Sequence, residues 1–348
     1  AEIVRGQAHL LRAPRKRSVT EWAIDEWGYD PEVLPWQPEL MDALGDPDCS
    51  EVGCMKPTQC GGTKIGLAWV GWIVDTDPDD TLICQPTQTL TGNFVKTRLN
   101  ELIDQVASVK GRLQPGADSN GIWLKLFRGM ALASVWPVAS QFTQRPIRYG
   151  WLDDYDQYDE NIGAVDGEGG QGSAISLLEG RNPSHEGREK KYVSSSPADD
   201  KGGKIEAFVA GGSDERLWPR CPDCGHRWET DLLRDLRFDD KGTADEAEAS
   251  AHVVCGANGC TLEPPAKRPL LDSLTALPNR GFVAANAGVS RRRTFRIDGL
   301  MALPSWSKLA RDWRLAQIEW EVRQDESLLR TLVNTKAGKN YRSQLSGE

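Results

Sequence analysis

From about residue 51 onward, short β-rich apolar runs alternate with longer runs of helical period. The short runs predict strands over Glu51–Met55, Thr81–Gln85, Ile122–Phe127, Ala131–Val135, Ile147–Leu152 and Lys191–Ser194. The longer ones predict helices over Thr63–Val74, Leu90–Ala107 and Ala174–Glu179, preceded by shorter ones over Thr20–Trp27 and from Trp36 to Leu44. Trp306–Arg323 reads as an amphipathic helix anchored by Trp306, Leu309, Trp313, Ile318 and Trp320. Strands alternating with helices imply an α/β fold with a mostly parallel sheet flanked by helices. In such sheets ligands bind beyond the carboxyl ends of the strands. Residues 1–20 read as an arm, Gly163–Gly172 as a glycine-rich acidic loop and Asp239–Ser250 as a second acidic loop.

One strand-to-helix junction carries chemistry. Glu51–Met55 runs into Lys56-Pro57-Thr58-Gln59-Cys60-Gly61-Gly62-Thr63-Lys64 and then into an apolar helix. A phosphate loop of the form G-x-x-x-x-G-K-[ST] sits in this setting. With Gly61 as its second glycine and Thr63 as its hydroxyl, Lys56 takes the place of the first glycine and Gly62 that of the usual lysine. The phosphate-neutralising amine then comes from Lys56, or less directly from Lys64. Gly61 and Gly62, with Gln59 and Cys60 before them, let backbone N–H groups approach phosphate oxygens at a helix N-terminus. Thr63 offers a hydroxyl to Mg²⁺. Alone, the loop fits a glycine turn before a buried helix equally well.

A second strand end supports it. Arg148-Tyr149-Gly150-Trp151-Leu152 leads into Asp153-Asp154. A carboxylate pair there suits Mg²⁺ binding by Asp153 and activation of water by Asp154. Lys191–Ser194 likewise runs into Ser195 and Ser196, hydroxyls suited to sensing a terminal phosphate. Upstream, Trp36-Gln37 resembles a motif in which the glutamine amide (here Gln37) reads adenine.

Eight cysteines are present. Cys221 and Cys224 form a C-x-x-C knuckle, and Cys255 and Cys260 follow about thirty residues on, flanked by glycines. Two such pairs fit a Cys₄ structural zinc ribbon, with His226 or His252 as possible substitutes for one thiolate. A closed Cys₄ shell leaves no open position for catalysis.

Charge narrows the partners. The formal net charge is −9. A purely electrostatic nucleic-acid binder would be basic, so contact with DNA must be local or shared. Local basic clusters are Arg12, Arg15, Lys16 and Arg17, and Arg291, Arg292, Arg293 and Arg296; both also suit a solvated surface. No run approaches the ~18 apolar residues of a membrane span. A cytosolic location is the default expectation.

Taken in order, these pieces resemble the GpA-type large terminase subunit of tailed phages. The matching stretches are Trp36-Gln37-Pro38, the Lys56 to Lys64 loop, Cys84-Gln85-Pro86-Thr87, Arg145 to Tyr149 leading to Asp153, Ser195-Ser196-Pro197, Ser213 to Arg216 leading to Cys221–Gly225, and Leu332-Val333-Asn334-Thr335 with Gly338. The family's lysine stands at the start of its loop, as Lys56 does. The resemblance implies a P-loop NTPase of the RecA/ASCE-like kind with an inserted zinc-ribbon-like segment. Residues 1–50 would then be an arm with adenine-side helices, 51–212 the ATPase core, 213–270 the insertion and 271–348 the rest of the ATPase region. It implies an ATP- and Mg²⁺-dependent motor that packages double-stranded phage DNA into a procapsid in the host cytoplasm. The implied partners are the portal protein, a small terminase subunit and further copies of the chain. An arginine would stabilise the transferring phosphate; Arg145, Arg148 and Arg181 are candidates, Arg181 preferred. Asp154 departs from the family, which usually has Glu. DNA cleavage is not expected from these residues, because the family's nuclease is a separate C-terminal domain. Two other readings share some features: a zinc-ribbon DNA-binding or scaffold protein with a degenerate loop, and a helicase-like translocase.

Overall fold

The computed structural model describes residues 17–142, 146–164, 169–198 and 203–343. Two helices, α1 (Val19–Trp27) and α2 (Gln37–Gly45), precede the first strand, β1 (Glu51–Met55). Ser18 and Glu21 form a capping box that starts α1, and Gly28 in the left-handed region ends it. Then come α3 (Gly62–Thr76), β2 (Thr81–Cys84), a long broken helix, the hairpin β3 (Leu124–Phe127) and β4 (Met130–Val135), and β5 (Tyr149–Asp153). The broken helix consists of α4 (Gln88–Phe94), a π-helical turn over Val95–Leu99 and α5 (Asn100–Gln105). Next are α6 (Ala174–Glu179), β6 (Lys190–Ser195), α7 (Lys204–Ala210) and β7 (Glu215–Leu217).

The main sheet has nine strands in the order β11-β7-β12-β1-β6-β5-β2-β4-β3, where β11 is Phe282–Ala284 and β12 is Arg292–Arg296. Only the β11–β7 and β3–β4 pairs are antiparallel. The order puts β6 between β1 and β5, so the ends of the loop strand and the acidic strand flank the serine strand.

The core explains why the loop helix sits where it does. Trp69 of α3 packs edge-on against Tyr149 and Tyr192, and Trp151 stacks on Tyr192 with ring centroids 6.0 Å apart. Gly66 lets α3 approach this aromatic layer, since a Cβ there would stand 2.2 Å from the Trp151 ring. Dense packing of this kind tolerates no added methyl.

Several expectations are corrected. The cluster Arg291 to Arg296 is not a solvated basic patch: Arg292–Arg296 is strand β12 beside β1. Arg293 binds Glu215 and Glu39, each at 2.8 Å, Arg296 binds Asp214 at 2.5 Å, and Arg292 pairs with Glu51. Carboxylates distant in sequence neutralise it, which is why local charge counting misled. Arg17 likewise pairs with Glu26 and Asp75, while Arg12, Arg15 and Lys16 lie outside the described residues. The expected acidic loop Asp239–Ser250 contains helix α8 (Ala244–Ala249), started by a capping box of Thr243 and Glu246. The segment 213–270 also lends β7 to the main sheet before its own small sheet forms. That sheet runs in the order β10-β9-β8, with β8 at Leu236–Arg237, β9 at His252–Val254 and β10 at Thr261–Leu262. The late helix appears as expected, as α9 (Trp306–Arg323).

Candidate active site

The loop after β1 wraps around Lys56. The Lys56 N–H donates to the Ser195 carbonyl at 3.0 Å, which ties the loop to β6. Its side chain is buried and turns toward the acidic strand, with Nζ 3.7 Å from Asp154 Oδ1. Gly62 makes room for it: a Cβ there would stand 2.5 Å from Lys56 Cδ and 2.6 Å from Cε. The glycine in the usual lysine position and the lysine in the usual glycine position are therefore one packing arrangement. Gly61, at φ 74°, is the left-handed residue before the helix begins, and Gln59 is also left-handed, at φ 56°.

Asp153 lies buried at the end of β5 and is held by two neighbours. Ser194 Oγ donates to its Oδ1 at 2.7 Å, and Gln85 Nε2 donates to its Oδ2 at 3.2 Å. Each oxygen keeps a second lone pair for a water or a metal shell. Asp154 follows in the left-handed region, φ 51°, which swings its half-buried carboxylate toward Lys56. Burial and the charge of Asp153 push the Asp154 pKa up, against the pull of Lys56. Burial opposes the Lys56 ammonium, yet the attraction of Asp153 and Asp154 outweighs it and holds its pKa above the ordinary lysine value.

An open cleft of about 830 Å³ lies over the loop. Lys56, Gly61, Gly62, Thr63 and Lys64 line it on one side, with Trp27, Arg98, Gln105, Leu303 and Pro304 among the others. Lys64 Nζ lies 5.4 Å from the ring centroids of both Trp27 and Tyr29. Its ammonium is thus engaged by aromatic faces beside the cleft.

Several expected residues take other places. Gln37 is buried under the loop: its Nε2 donates to the Cys60 carbonyl at 2.8 Å and its Oε1 accepts from the Tyr29 hydroxyl at 2.9 Å. It braces the loop rather than facing a base. Ser195 Oγ accepts from the Asp156 N–H and donates to the Ser196 carbonyl, so both serines shape the turn after β6, while Ser194 reaches the carboxylate. Arg181 sits at the amino end of β5, its carbonyl accepting from the Ile147 N–H at 3.2 Å. The strand runs from there to Asp153, so Arg181 and the loop lie at opposite ends of the sheet. Arg148, at that same end, pairs with Asp77 at 3.0 Å; Arg145 lies outside the described residues.

Gln85 and Arg98 join the site without a place among the sequence candidates. Gln85 carries a signal, a lone polar residue closing an apolar run, whereas nothing in its neighbours marks Arg98.

A late turn also reaches the loop. Thr58 donates both its N–H, at 2.7 Å, and its hydroxyl, at 2.9 Å, to the Thr335 carbonyl. Gly338, at φ 71°, lies where a Cβ would stand 2.9 Å from Pro57 N.

The four cysteines of the small lobe converge. The sulfurs of Cys221, Cys224, Cys255 and Cys260 all lie within 4.8 Å of one another. Both knuckles close in the same way. The N–H of left-handed Gly225 donates to Cys221 O at 2.9 Å, and that of left-handed Gly259 donates to Cys255 O at 2.8 Å. His252 Nδ1 meets Ser250 O, while His226 Nδ1 meets Asn258 Nδ2 at 3.0 Å and the His226 side chain also reaches Cys224.

An α/β domain whose glycine loop and acidic pair meet at the carboxyl edge of a mostly parallel sheet is the class that this geometry defines. Residues 26–274 match the profile of the family described as phage terminase large subunit gpA, ATPase domain, and the chain belongs to that family. A relative, the terminase large subunit of Escherichia phage lambda, is 28% identical over 117 residues, which cover 31% of this chain and 18% of the relative's length. Among solved structures, the ATPase domain of the Thermus phage P74-26 large terminase matches at 8% identity and a TM-score of 0.42, over 89% of this chain and 96% of that one. The HK97 bacteriophage large terminase matches at 10% identity and 0.39, over 51% and 36%. Structural likenesses at these scores carry no functional weight.

Proposed function

We propose that the chain is the ATP-hydrolysing motor domain of a terminase large subunit, driving double-stranded viral DNA into a procapsid. The observation that carries this reading is the meeting of Lys56, which lines the glycine-loop cleft, with Asp154 across the serine strand. The strand order, with β6 between the loop strand and the acidic strand, supports an ASCE-like NTPase core.

The chain's own groups divide the chemistry. Backbone N–H groups of Gly61 to Thr63 and the start of α3 receive phosphate oxygens, and Lys56 neutralises them. Thr63 and Asp153 are the residues that would hold magnesium, which when bound offsets phosphate charge. Asp154 takes a proton from water as the water oxygen bonds to the terminal phosphorus; the bond from that phosphorus to the bridging oxygen breaks and ADP leaves. The base rests toward Trp27, Leu303 and Pro304, whose apolar surfaces line the cleft.

The four cysteines fit a structural zinc ion, since sulfurs on a tetrahedron of ~2.3 Å bonds stand roughly 3.8 Å apart. Cys224 and Cys255 sulfurs are 4.0 Å apart. Duplex DNA, a portal protein, a small terminase subunit and further copies of the chain are the proposed partners, in the host cytoplasm and on the procapsid. No helix among the described residues is long and apolar enough to cross a membrane.

ATP hydrolysis by the wild type, Lys56→Ala and Asp153→Ala tests the reading. Both variants should be nearly inactive. A wild-type protein that binds no nucleotide, even with DNA and its partners present, overturns it.

A further inference from the structure

We infer that Arg98 is a second cationic group, beside Lys56, that contacts the terminal phosphate from the same chain. This inference rests on the nucleotide reading above and assigns one more residue to that site.

Three observations converge on it. Arg98 lines the same cleft as Lys56, Gly61, Gly62 and Thr63. Its side chain is exposed, and among the described residues no carboxylate pairs with it. The sequence-derived candidates are placed otherwise: Arg148 is spent on Asp77 and Asp79, and Arg181 lies at the far end of β5. The guanidinium of Arg98 is therefore available where negative charge would arrive.

A further observation is local. Helix α4 buries Thr91 and Phe94. Val95 and Leu99, four places apart, are both buried and carry the apolar stripe past Arg98. The π-helical turn over Val95–Leu99 widens the repeat by one residue. Arg98 lies off that stripe, on the cleft side with Glu101 and Gln105. Single π-turns inside helices recur at functional sites. The helix itself begins at the end of β2, the sheet neighbour of acidic β5. Arg98 thus faces the cleft that Lys56, the partner of Asp154, also lines.

A planar guanidinium can donate two parallel N–H bonds to phosphate oxygens, and charge-assisted bonds of this kind are the strong ones. Lysine keeps the charge and loses the fork.

Binding of ATP and ADP and steady-state hydrolysis should be measured for the full chain and for Arg98→Ala and Arg98→Lys. The expected result for Arg98→Ala is a loss of ATP preference over ADP of about tenfold to a hundredfold, and a kcat lowered at least as much. Arg98→Lys should recover part of both. Thermal midpoints should stay unchanged, because the side chain is exposed and unpaired. Nucleotide binding with an unaltered ATP-to-ADP ratio in Arg98→Ala overturns this assignment alone. An equal loss of ATP and ADP affinity overturns it as well, because it moves the contact to the inner phosphates or the base. A wild type that binds neither nucleotide overturns the nucleotide reading and this one together.

Discussion

The aliphatic stem of Lys56 fills the space that a Cβ on Gly62 would occupy, 2.5 Å from Lys56 Cδ. A displaced lysine and a displaced glycine are thus two halves of one contact. Lys56→Ala should lower ATP hydrolysis by about a hundredfold or more, as loss of a phosphate-binding charge does. Lys64→Ala should cost far less, since Lys64 already lies over Trp27 and Tyr29. Gly62→Ala should behave as a weaker Lys56 variant, because it pushes the stem aside. Equal rates for Lys56→Ala and wild type would sink this account of the loop.

Gln37 makes a different prediction from a base-reading glutamine. Gln37→Ala leaves the Cys60 carbonyl and the Tyr29 hydroxyl without their partner, a loss of about 1–2 kcal/mol. ATP and GTP binding should weaken together. If ATP alone weakens and GTP does not, Gln37 contacts the base.

Asp154 should set the acid limb of the rate profile. Its pKa is raised by burial and by Asp153, so the carboxylate form needed to accept a proton is lost above the usual aspartate range as pH falls. Activity should therefore decline on acidification earlier than an ordinary aspartate would predict. Asp154→Asn should abolish turnover while ATP binding persists, and Asp154→Glu should keep measurable turnover. A kcat for Asp154→Asn within tenfold of wild type removes Asp154 from proton transfer.

The cysteine lobe should carry about one zinc per chain by elemental analysis. Cys221→Ser or Cys255→Ser should drop that content and loosen the small sheet, read as faster amide exchange across β8 to β10. Less than about half an equivalent in metal-replete wild type argues against a structural zinc.

Asp298 is buried where it accepts from the Leu232 N–H at 2.9 Å and the Leu300 N–H at 3.0 Å. Burial lifts its carboxyl to about 6. An unfolded aspartate titrates near ~3.9, so the folded chain holds the extra proton between about pH 4 and 6. Stability from this group is present below that window and is lost as pH rises through it. Relative to Asp298→Asn, the wild type should lose up to about 3 kcal/mol across those pH values, measured by urea unfolding. A gap that stays flat with pH would show that the carboxyl is not lifted.

The first six strands and the loop helix were largely legible in the sequence. Periodicity located β1 to β6 and the loop helix because each is a continuous local pattern. It missed β7 to β12. These strands are short or, like Arg292–Arg296, alternate charges whose partners lie far away, such as Glu51 and Glu215. In the site, Lys56, Asp153 and Asp154 were readable from a strand end plus chemistry. Gln37 was placed near the loop, but the direction of its amide depended on Tyr29 and Cys60, a tertiary fact. Arg98 was invisible because an exposed arginine on an amphipathic helix carries no local mark of the cleft it faces.

The contact between Thr58 and Thr335 spans 277 positions of chain, and β1 lies against β12, whose residues are more than two hundred positions downstream. Closures this long are slow to form and depend on nearly everything between them. A chain still emerging from the ribosome holds every residue of the glycine loop long before it holds the pieces that brace it. Competence to bind nucleotide should accordingly arrive late and all at once. A half-made domain would, on the proposed reading, have no way to consume ATP.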